Sequence, residues 1–157
     1  MATEVPQPVL DYLTAARTVT LATASSEGTP HASTFMYVND GTSIYFWSKP
    51  GSVTAAHLQK NPRVSFAIDE YVEDWNKAKG IQGDGDCRPV SDGDEVAQVV
   101  GRFAEKFPTP SSTASTASIT FFKVRPSSLH FIDNEGATTH LSADEFGMDF
   151  HRQQVLS

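Results

Sequence analysis

Cysteine and positive charge are both scarce in this sequence, and each scarcity excludes a class of protein. Cys87 is the only cysteine in 157 residues, so neither an intramolecular disulfide nor a zinc site built on several thiolates can form. Lysine and arginine together number 12 against 19 acidic residues. They are scattered rather than gathered into the basic stripe that binding to a phosphate backbone requires. We therefore expect no nucleic-acid partner.

Long apolar runs are also missing. No stretch approaches the roughly 18 apolar residues of a membrane helix. Residues 1–13 have neither the basic region nor the apolar region of a secretory signal. These absences favour the reducing cytoplasm and predict no membrane partner. Hydrophobic residues make up 39% of the chain, which is enough for one core, so we expect a single domain over residues 1–157.

Short apolar segments separated by turn residues make up most of the chain. Alternating and β-branched residues predict strands at residues 18–23, 31–38, 43–47, 63–68, 119–125 and 128–133, and another that opens at 79–83. Proline placement and capping residues predict helices at 8–13, 52–60 and 91–107. Asn39-Asp40-Gly41 predicts a hairpin turn. Residues 108–118 are predicted to form a mobile surface loop, and the tail over 144–157 is predicted to be helical.

Six or more short strands with tight turns between them indicate a largely antiparallel sheet. Such a sheet can remove its exposed edges by closing on itself. We therefore predict a mainly β fold, a β-barrel with interposed helices.

The junction between the strand at 43–47 and the helix at 52–60 is the most informative part of the sequence. Ser48, Lys49, Ser52 and Thr54 place hydroxyls and an ammonium around a helix start, where unsatisfied N–H groups and a partial positive charge favour phosphate. Trp47 offers a flat apolar surface to an aromatic ring system. The spacing alone favours a plain helix cap at Ser52 and a lysine that only faces water over a phosphate site.

Three segments, taken with the order of the elements, resemble the pyridoxamine 5'-phosphate oxidase-like family, the FMN-binding split β-barrels. They are Gly28-Thr29-Pro30 with the strand after it, the run 44–66 with its Gly-Ser and Asn-Pro-Arg-Val-Ser, and Ile81-Gln82-Gly83. The resemblance implies a homodimer that holds noncovalent FMN at the interface between its subunits.

The resemblance also assigns residues to that cofactor. Along the ring it places Ser33, Thr34, Phe35, Met36 and Trp47; at the phosphate it places Ser48, Lys49, Ser52 and Thr54; and Gln82 is expected from the partner subunit. The chain departs from the family where Val53-Thr54 replace an Arg-Lys pair and Ser33 replaces an arginine. A hydroxyl can donate a hydrogen bond but supplies no charge. We therefore do not expect true pyridoxamine phosphate oxidase activity.

The leading prediction is an FMN-dependent oxidoreductase, and three alternatives stay open. They are a reductase that uses the deazaflavin F420, a non-catalytic haem- or flavin-binding protein, and a family member without cofactor. One histidine would suffice for haem, and the candidates are His31, His130 and His151. The substrate is not predicted beyond a groove whose outer wall is formed by residues 69–79 and 108–118.

Other site chemistries find little support. Asp84, Asp86 and Glu95 match the spacing of a calcium loop, but Arg88 and Pro89 take the places of a ligand and of the required glycine. The Gly-x-Ser-x-Gly elbow of many serine hydrolases does not occur. Cys87 stands beside Arg88 with no evident base, so we expect an inert, buried thiol.

Overall fold

A computed structural model describes residues 4–108, 118–135 and 152–156, and strands dominate these residues. The elements, in chain order, are α1 (Gln7–Ala15), β1 (Thr18–Ala24), β2 (Pro30–Met36), β3 (Val38–Asp40), β4 (Ser43–Ser48), α2 (Val53–Lys60), β5 (Arg63–Asp69), β6 (Lys79–Pro89), α3 (Gly93–Lys106), β7 (Thr120–Asp133) and β8 (Arg152–Leu156). A short 3-10 helix, Trp75–Lys77, lies between β5 and β6. None of the helices in the described ranges is long and apolar enough to cross a membrane.

All eight strands belong to one antiparallel sheet. Its order is β2-β1-β5-β6-β7-β4-β3, and β8 pairs with β7. β2 and β3 lie at opposite ends of this order, yet Tyr37 alone separates them in sequence. The sheet must therefore curl until its two ends approach each other. The rings of Phe35 in β2 and Phe46 in β4 are accordingly in contact, with 4.6 Å between centroids. The predicted mainly β fold with interposed helices is confirmed.

The core fills the inside of this curl. Strand residues that alternate with exposed ones point inward, including Leu21, Phe66 and Ile81, and α1 adds Val9 and Leu13. A second apolar cluster lies on the outer side of β4 and β7, where Val99 of α3 packs with Tyr45 and Phe121. The outer face of β1, β5 and β6 instead carries small and polar side chains.

The predicted strands at 119–125 and 128–133 are one continuous strand, β7, so the predicted break between them is wrong. Pro126 suggested that break because proline has no N–H to donate. In the sheet Pro126 stands opposite Gly85, at a shift of register between Asp84 and Gly85. The regular ladder is already interrupted at that point, so the missing N–H is tolerated.

The predicted C-terminal helix is also wrong where the structure describes it, because Arg152–Leu156 form β8. Val155 is 5% exposed and joins the core, so pairing and packing against β7 override local preference. Residues 144–151 lie outside the described residues, as do 109–117 of the predicted mobile loop.

The hairpin turn lies two residues later than predicted. Asn39 and Asp40 belong to β3, and the turn is made by Gly41 and Thr42. Gly41 has a φ of 58°, which a glycine adopts without strain. The helices predicted at 52–60 and 91–107 are confirmed within a residue or two as α2 and α3.

Candidate functional site

The four residues predicted at a phosphate meet where β4 leads into α2, here called the β4–α2 junction (residues 48–54). The hydroxyl oxygens of Ser48 and Ser52 are 2.8 Å apart, and Ser52 Oγ accepts the backbone N–H of Ala55 at 3.1 Å as the helix cap. Ser48 and Thr54 are only 5% and 2% exposed. Lys49 is exposed, so among these four it alone presents a charged group to solvent.

The backbone adds donors that the side chains do not supply. The N–H groups of Val53 and Thr54 make no hydrogen bond within the described part of the chain, because they open α2 ahead of its first internal bonds. Unsatisfied N–H groups at a helix start attract an oxyanion. Such donors do not depend on side-chain type. The replacement of Arg-Lys by Val53-Thr54 therefore removes charge but leaves these two donors in place.

The ring residues predicted on β2 divide between its two faces. Ser33 and Phe35 are half-buried and point inward, whereas Thr34 and Met36 are exposed. Phe35 packs against Phe46 in the core, and Thr34 Oγ1 lies 3.2 Å from Thr20 Oγ1. Among the described strands β2 pairs with β1 alone. Its other edge therefore keeps backbone N–H and C=O groups free for a ligand.

Trp47 and Gln82 lie apart from the rest of the predicted site. Trp47 alternates with Ser48 along β4, so it points to the opposite face, where it pairs with Phe121 and is 37% exposed. Gln82 is exposed on β6, which β1 and β5 separate from β2. Within one chain the structure thus brings together Ser48, Lys49, Ser52 and Thr54, but not Gln82.

The contact between His31 and His57 was not predicted from the sequence, which offered His31 only as a candidate for haem. His31 Nε2 lies 2.9 Å from Ser33 Oγ, and His57 Nδ1 of α2 lies 2.9 Å from Thr23 Oγ1. The two imidazole rings meet edge to face, with 6.1 Å between centroids. The residues are far apart in sequence and share no motif, so only the packing of α2 against β1 and β2 reveals them.

The chain is similar to one protein family and to several solved structures. The family model described as pyridoxamine 5'-phosphate oxidase matches residues 5–133. No curated protein matches the chain. Among solved structures, the conserved hypothetical protein Rv2991 of Mycobacterium tuberculosis is 23% identical, with 90% of this chain and 93% of that chain covered and a TM-score of 0.75.

Two further structures carry names that refer to heme. HutZ, the heme storage protein of Vibrio cholerae, is 20% identical, with 80% of this chain and 91% of that chain covered and a TM-score of 0.64. A heme binding protein of Mycobacterium smegmatis is 20% identical, with 84% of this chain and 56% of that chain covered and a TM-score of 0.69. At such identities these likenesses establish the shared fold, which confirms the predicted split-barrel type.

Proposed function

Because the chain belongs to the pyridoxamine 5'-phosphate oxidase family, we propose that it is an FMN-dependent oxidoreductase with its cofactor at the β4–α2 junction. The observation that carries this proposal is the set of free donors there: the N–H groups of Val53 and Thr54 and the ammonium of Lys49. A helix start with free N–H groups and a nearby cation suits a phosphate group. A bound flavin would supply the hydride or electron transfer, and the protein would position it.

The open edge of β2 suits the ring of the same cofactor. A flavin ring has alternating donors and acceptors along its polar side, and an unpaired strand edge offers the complementary pattern. Contacts of this kind run through the backbone of residues 33–36. They therefore do not require all four side chains to face the ring. Without cations at 33, 53 and 54, we do not assign pyridoxamine phosphate as the substrate.

The proposed assembly is a homodimer with the cofactor between the subunits. Trp47 is 37% exposed and Val53 is 50% exposed. Trp47 directly precedes the β4–α2 junction and Val53 lies within it, so a second copy would cover apolar surface at the site. Gln82 stands three strands away from β2 in the sheet order. A contact from this position would therefore have to come from Gln82 of the partner subunit.

A titration with FMN tests the cofactor assignment. We expect FMN to bind the purified wild-type protein, with quenching of flavin fluorescence and a rise in Tm. Lys49→Ala should weaken binding about tenfold, because a charge-assisted hydrogen bond to phosphate is lost. Lys60→Ala removes an exposed lysine at the opposite end of α2 and should bind like the wild type. A colourless protein whose Tm does not respond to FMN would contradict the proposal.

Haem binding is the second candidate, and His130 favours it. Its ring makes no hydrogen bond within the described residues. It borders a cavity of about 360 Å³ on the outer face of the sheet, next to Gln82. An imidazole that borders an open cavity can act as an axial ligand. Titration with hemin should then give a Soret band that His130→Ala removes and His57→Ala retains. A flavin spectrum in the purified protein, with no response to hemin, would exclude this candidate.

A further inference from the structure

A larger cavity opens on the outer face of the sheet, near the end of α2 opposite to the β4–α2 junction. Its volume is about 890 Å³, and it is bordered by strands β1, β5, β6 and β7. Arg63, Asp86 and Arg125 form one row across β5, β6 and β7, so their side chains project from the same face. Neighbouring strands lie about 4.8 Å apart, which puts the backbones of the two arginines within about 10 Å of each other.

The acidic groups in this cavity already have partners. The Asp84 carboxylate accepts hydrogen bonds from Ser65 Oγ at 2.5 Å and from Ser128 Oγ at 3.2 Å. The Asp86 carboxylate pairs with Arg88 Nε at 3.0 Å.

The two arginines have no such partners. Within the residues that the structure describes, the guanidinium groups of Arg63 and Arg125 make neither a hydrogen bond nor an ion pair, and both side chains are exposed. Two free guanidinium groups therefore face one cavity in a chain whose net charge is −7.

Contacts of the backbone hold Arg63 and Arg125 at their positions on the sheet. A Cβ on Gly85 would lie 2.3 Å from the carbonyl oxygen of Arg125 and 2.9 Å from Cα of Pro126, so glycine alone allows β6 and β7 to approach this closely. The register shift at the same point is a bulge, a feature that redirects side chains. On the other side of the cavity, Asn61 Oδ1 accepts the backbone N–H of Arg63 at 3.2 Å.

We propose that this cavity binds the phosphate group of a small phosphate monoester, held between Arg63 and Arg125. Planar guanidinium forks match phosphate oxygens, and two of them supply two positive charges to a phosphate monoester, which carries about −2 near pH 7. The Asp84 carboxylate keeps its negative charge, because its partners are neutral hydroxyls, and it lowers the affinity. The floor contributed by Ala22, Ala24 and Pro30 is apolar, which suits an ester with an apolar body. Within one chain the site is separate from the β4–α2 junction, and its arginines are not among the residues proposed to hold FMN.

Phenyl phosphate is a suitable probe, with benzoate and phenol as matched ligands. We expect calorimetry at low salt to show that phenyl phosphate binds more tightly than benzoate, and that phenol does not bind. Arg63→Gln and Arg125→Gln should each weaken phenyl phosphate at least tenfold. Asp86→Asn should tighten it, because a negative charge leaves the cavity. Arg102→Gln is the matched control, because it removes one positive charge as Arg63→Gln and Arg125→Gln do. Arg102 pairs with Asp40 outside this cavity, so we expect this variant to bind phenyl phosphate with wild-type affinity.

The FMN site can be separated from this one in the same experiment. Lys49→Ala should leave the affinity for phenyl phosphate unchanged, whatever its effect on FMN. Loss of phenyl phosphate binding in Lys49→Ala, with wild-type binding in both arginine variants, would place the phosphate at the β4–α2 junction and overturn the proposal. Equal affinities for phenol and phenyl phosphate would overturn it as well. Circular dichroism of each variant at the assay temperature shows that the comparison is made on folded protein.

Discussion

Cys87 lies on β6 between two charged neighbours, and its side chain points into the core. It is fully buried, and burial, helped by the Asp86 carboxylate, raises the pKa of its thiol to about 12. The adjacent Arg88 does not offset this effect, because its guanidinium pairs with Asp86. The expectation of a buried thiol is therefore confirmed, and its inertness stays a prediction.

Alkylation measures the reactivity of the Cys87 thiol directly. In the native protein at pH 8 we expect iodoacetamide to leave Cys87 unmodified over hours, because the reactive thiolate is absent and the sulfur is inaccessible. In concentrated urea the same reagent should label one site per chain within minutes, and mass spectrometry distinguishes the two. Cys87→Ala serves as the blank for labelling elsewhere. Rapid native labelling would show that β6 opens locally or that the thiol is not buried.

The residue scale also shows where prediction from sequence reaches its limit. Ser52 was identifiable as a helix cap because Ser before a helix and Asn-Pro after it are local signals, and the cap is present. The direction in which Phe35 points was not identifiable. It depends on the phase of β2 relative to the core, and the structure turns Phe35 inward against Phe46. Position in a motif therefore assigns a backbone segment to the proposed site, but it does not tell which of the side chains on that segment face the site.

Lys106 ties the end of α3 to the end of α1. Its ammonium donates a hydrogen bond to the carbonyl oxygen of Ala16 at 2.5 Å and lies 4.3 Å from the centre of the Tyr37 ring. Partial burial, with a smaller contribution from Arg17, lowers the pKa of Lys106 to about 8 from an ordinary value of 10.5. Between these two pH values Lys106 holds its proton in the unfolded chain and loses it in the folded chain. The contribution of Lys106 to the free energy of unfolding should therefore rise with pH across this window.

Urea denaturation at pH 8 and pH 9 tests this effect by comparison with a matched variant, because the Cys87 thiol of the unfolded chain loses its proton near its ordinary pKa of 9 and lowers the stability of the wild type and of the variant alike. We expect the wild type to gain stability from pH 8 to pH 9 relative to Lys106→Met, in which the titrating group is absent. Lys60→Met, which removes an exposed lysine from α2, should keep the wild-type pH dependence. The same pH dependence in wild type and Lys106→Met would show that the pKa of Lys106 is not lowered.

At the scale of elements, local sequence predicted the existence of strands and helices better than their limits. Alternation of apolar residues marked β1 and β5, because one face of each lies on the core. Pairing with distant residues joins the two predicted segments into one strand, β7. Pairing with β7 likewise makes residues 152–156 a strand. The bulge at Gly85 accommodates Pro126, and Val155 packs into the core beside β7. A short stretch of sequence does not show which distant residues it will pair or pack with.

At the scale of the whole molecule, the proposed dimer is the assumption on which a composite cofactor site rests. We expect size-exclusion chromatography with light scattering to give twice the chain mass. Trp47→Ser should shift the protein toward monomer, because Trp47 is the large apolar side chain beside the β4–α2 junction. Trp75→Ser removes another exposed tryptophan, on the segment between β5 and β6, and should remain dimeric. A monomeric wild type at micromolar concentration would argue against a site shared between subunits.

The order of strands predicted the type of fold, whereas the grouping of residues from distant elements was visible only in the curled sheet. Turns, alternation and the Asn-Pro stop are local, so a mainly β barrel was accessible from the sequence. Residues from separate elements meet at two places. His31 of β2 contacts His57 of α2, and Arg63 of β5 lies in one row with Arg125 of β7. Nothing in the sequence near any one of these residues indicates its neighbour.

The central position of β7 affects how this protein is made as well as how it is held together. β4 ends at Ser48, but its partner β7 begins at Thr120, so on the ribosome the first half of the barrel emerges without the strand that completes it. Until then one edge of β4 stays unpaired and its core-facing aromatic Phe46 lacks the Phe122 ring that later stacks on it. Open strand edges and exposed aromatics are what neighbouring nascent chains join. We therefore expect the sheet to be completed only after β7 has emerged, and the open edge of β4 to be exposed to misassembly until then.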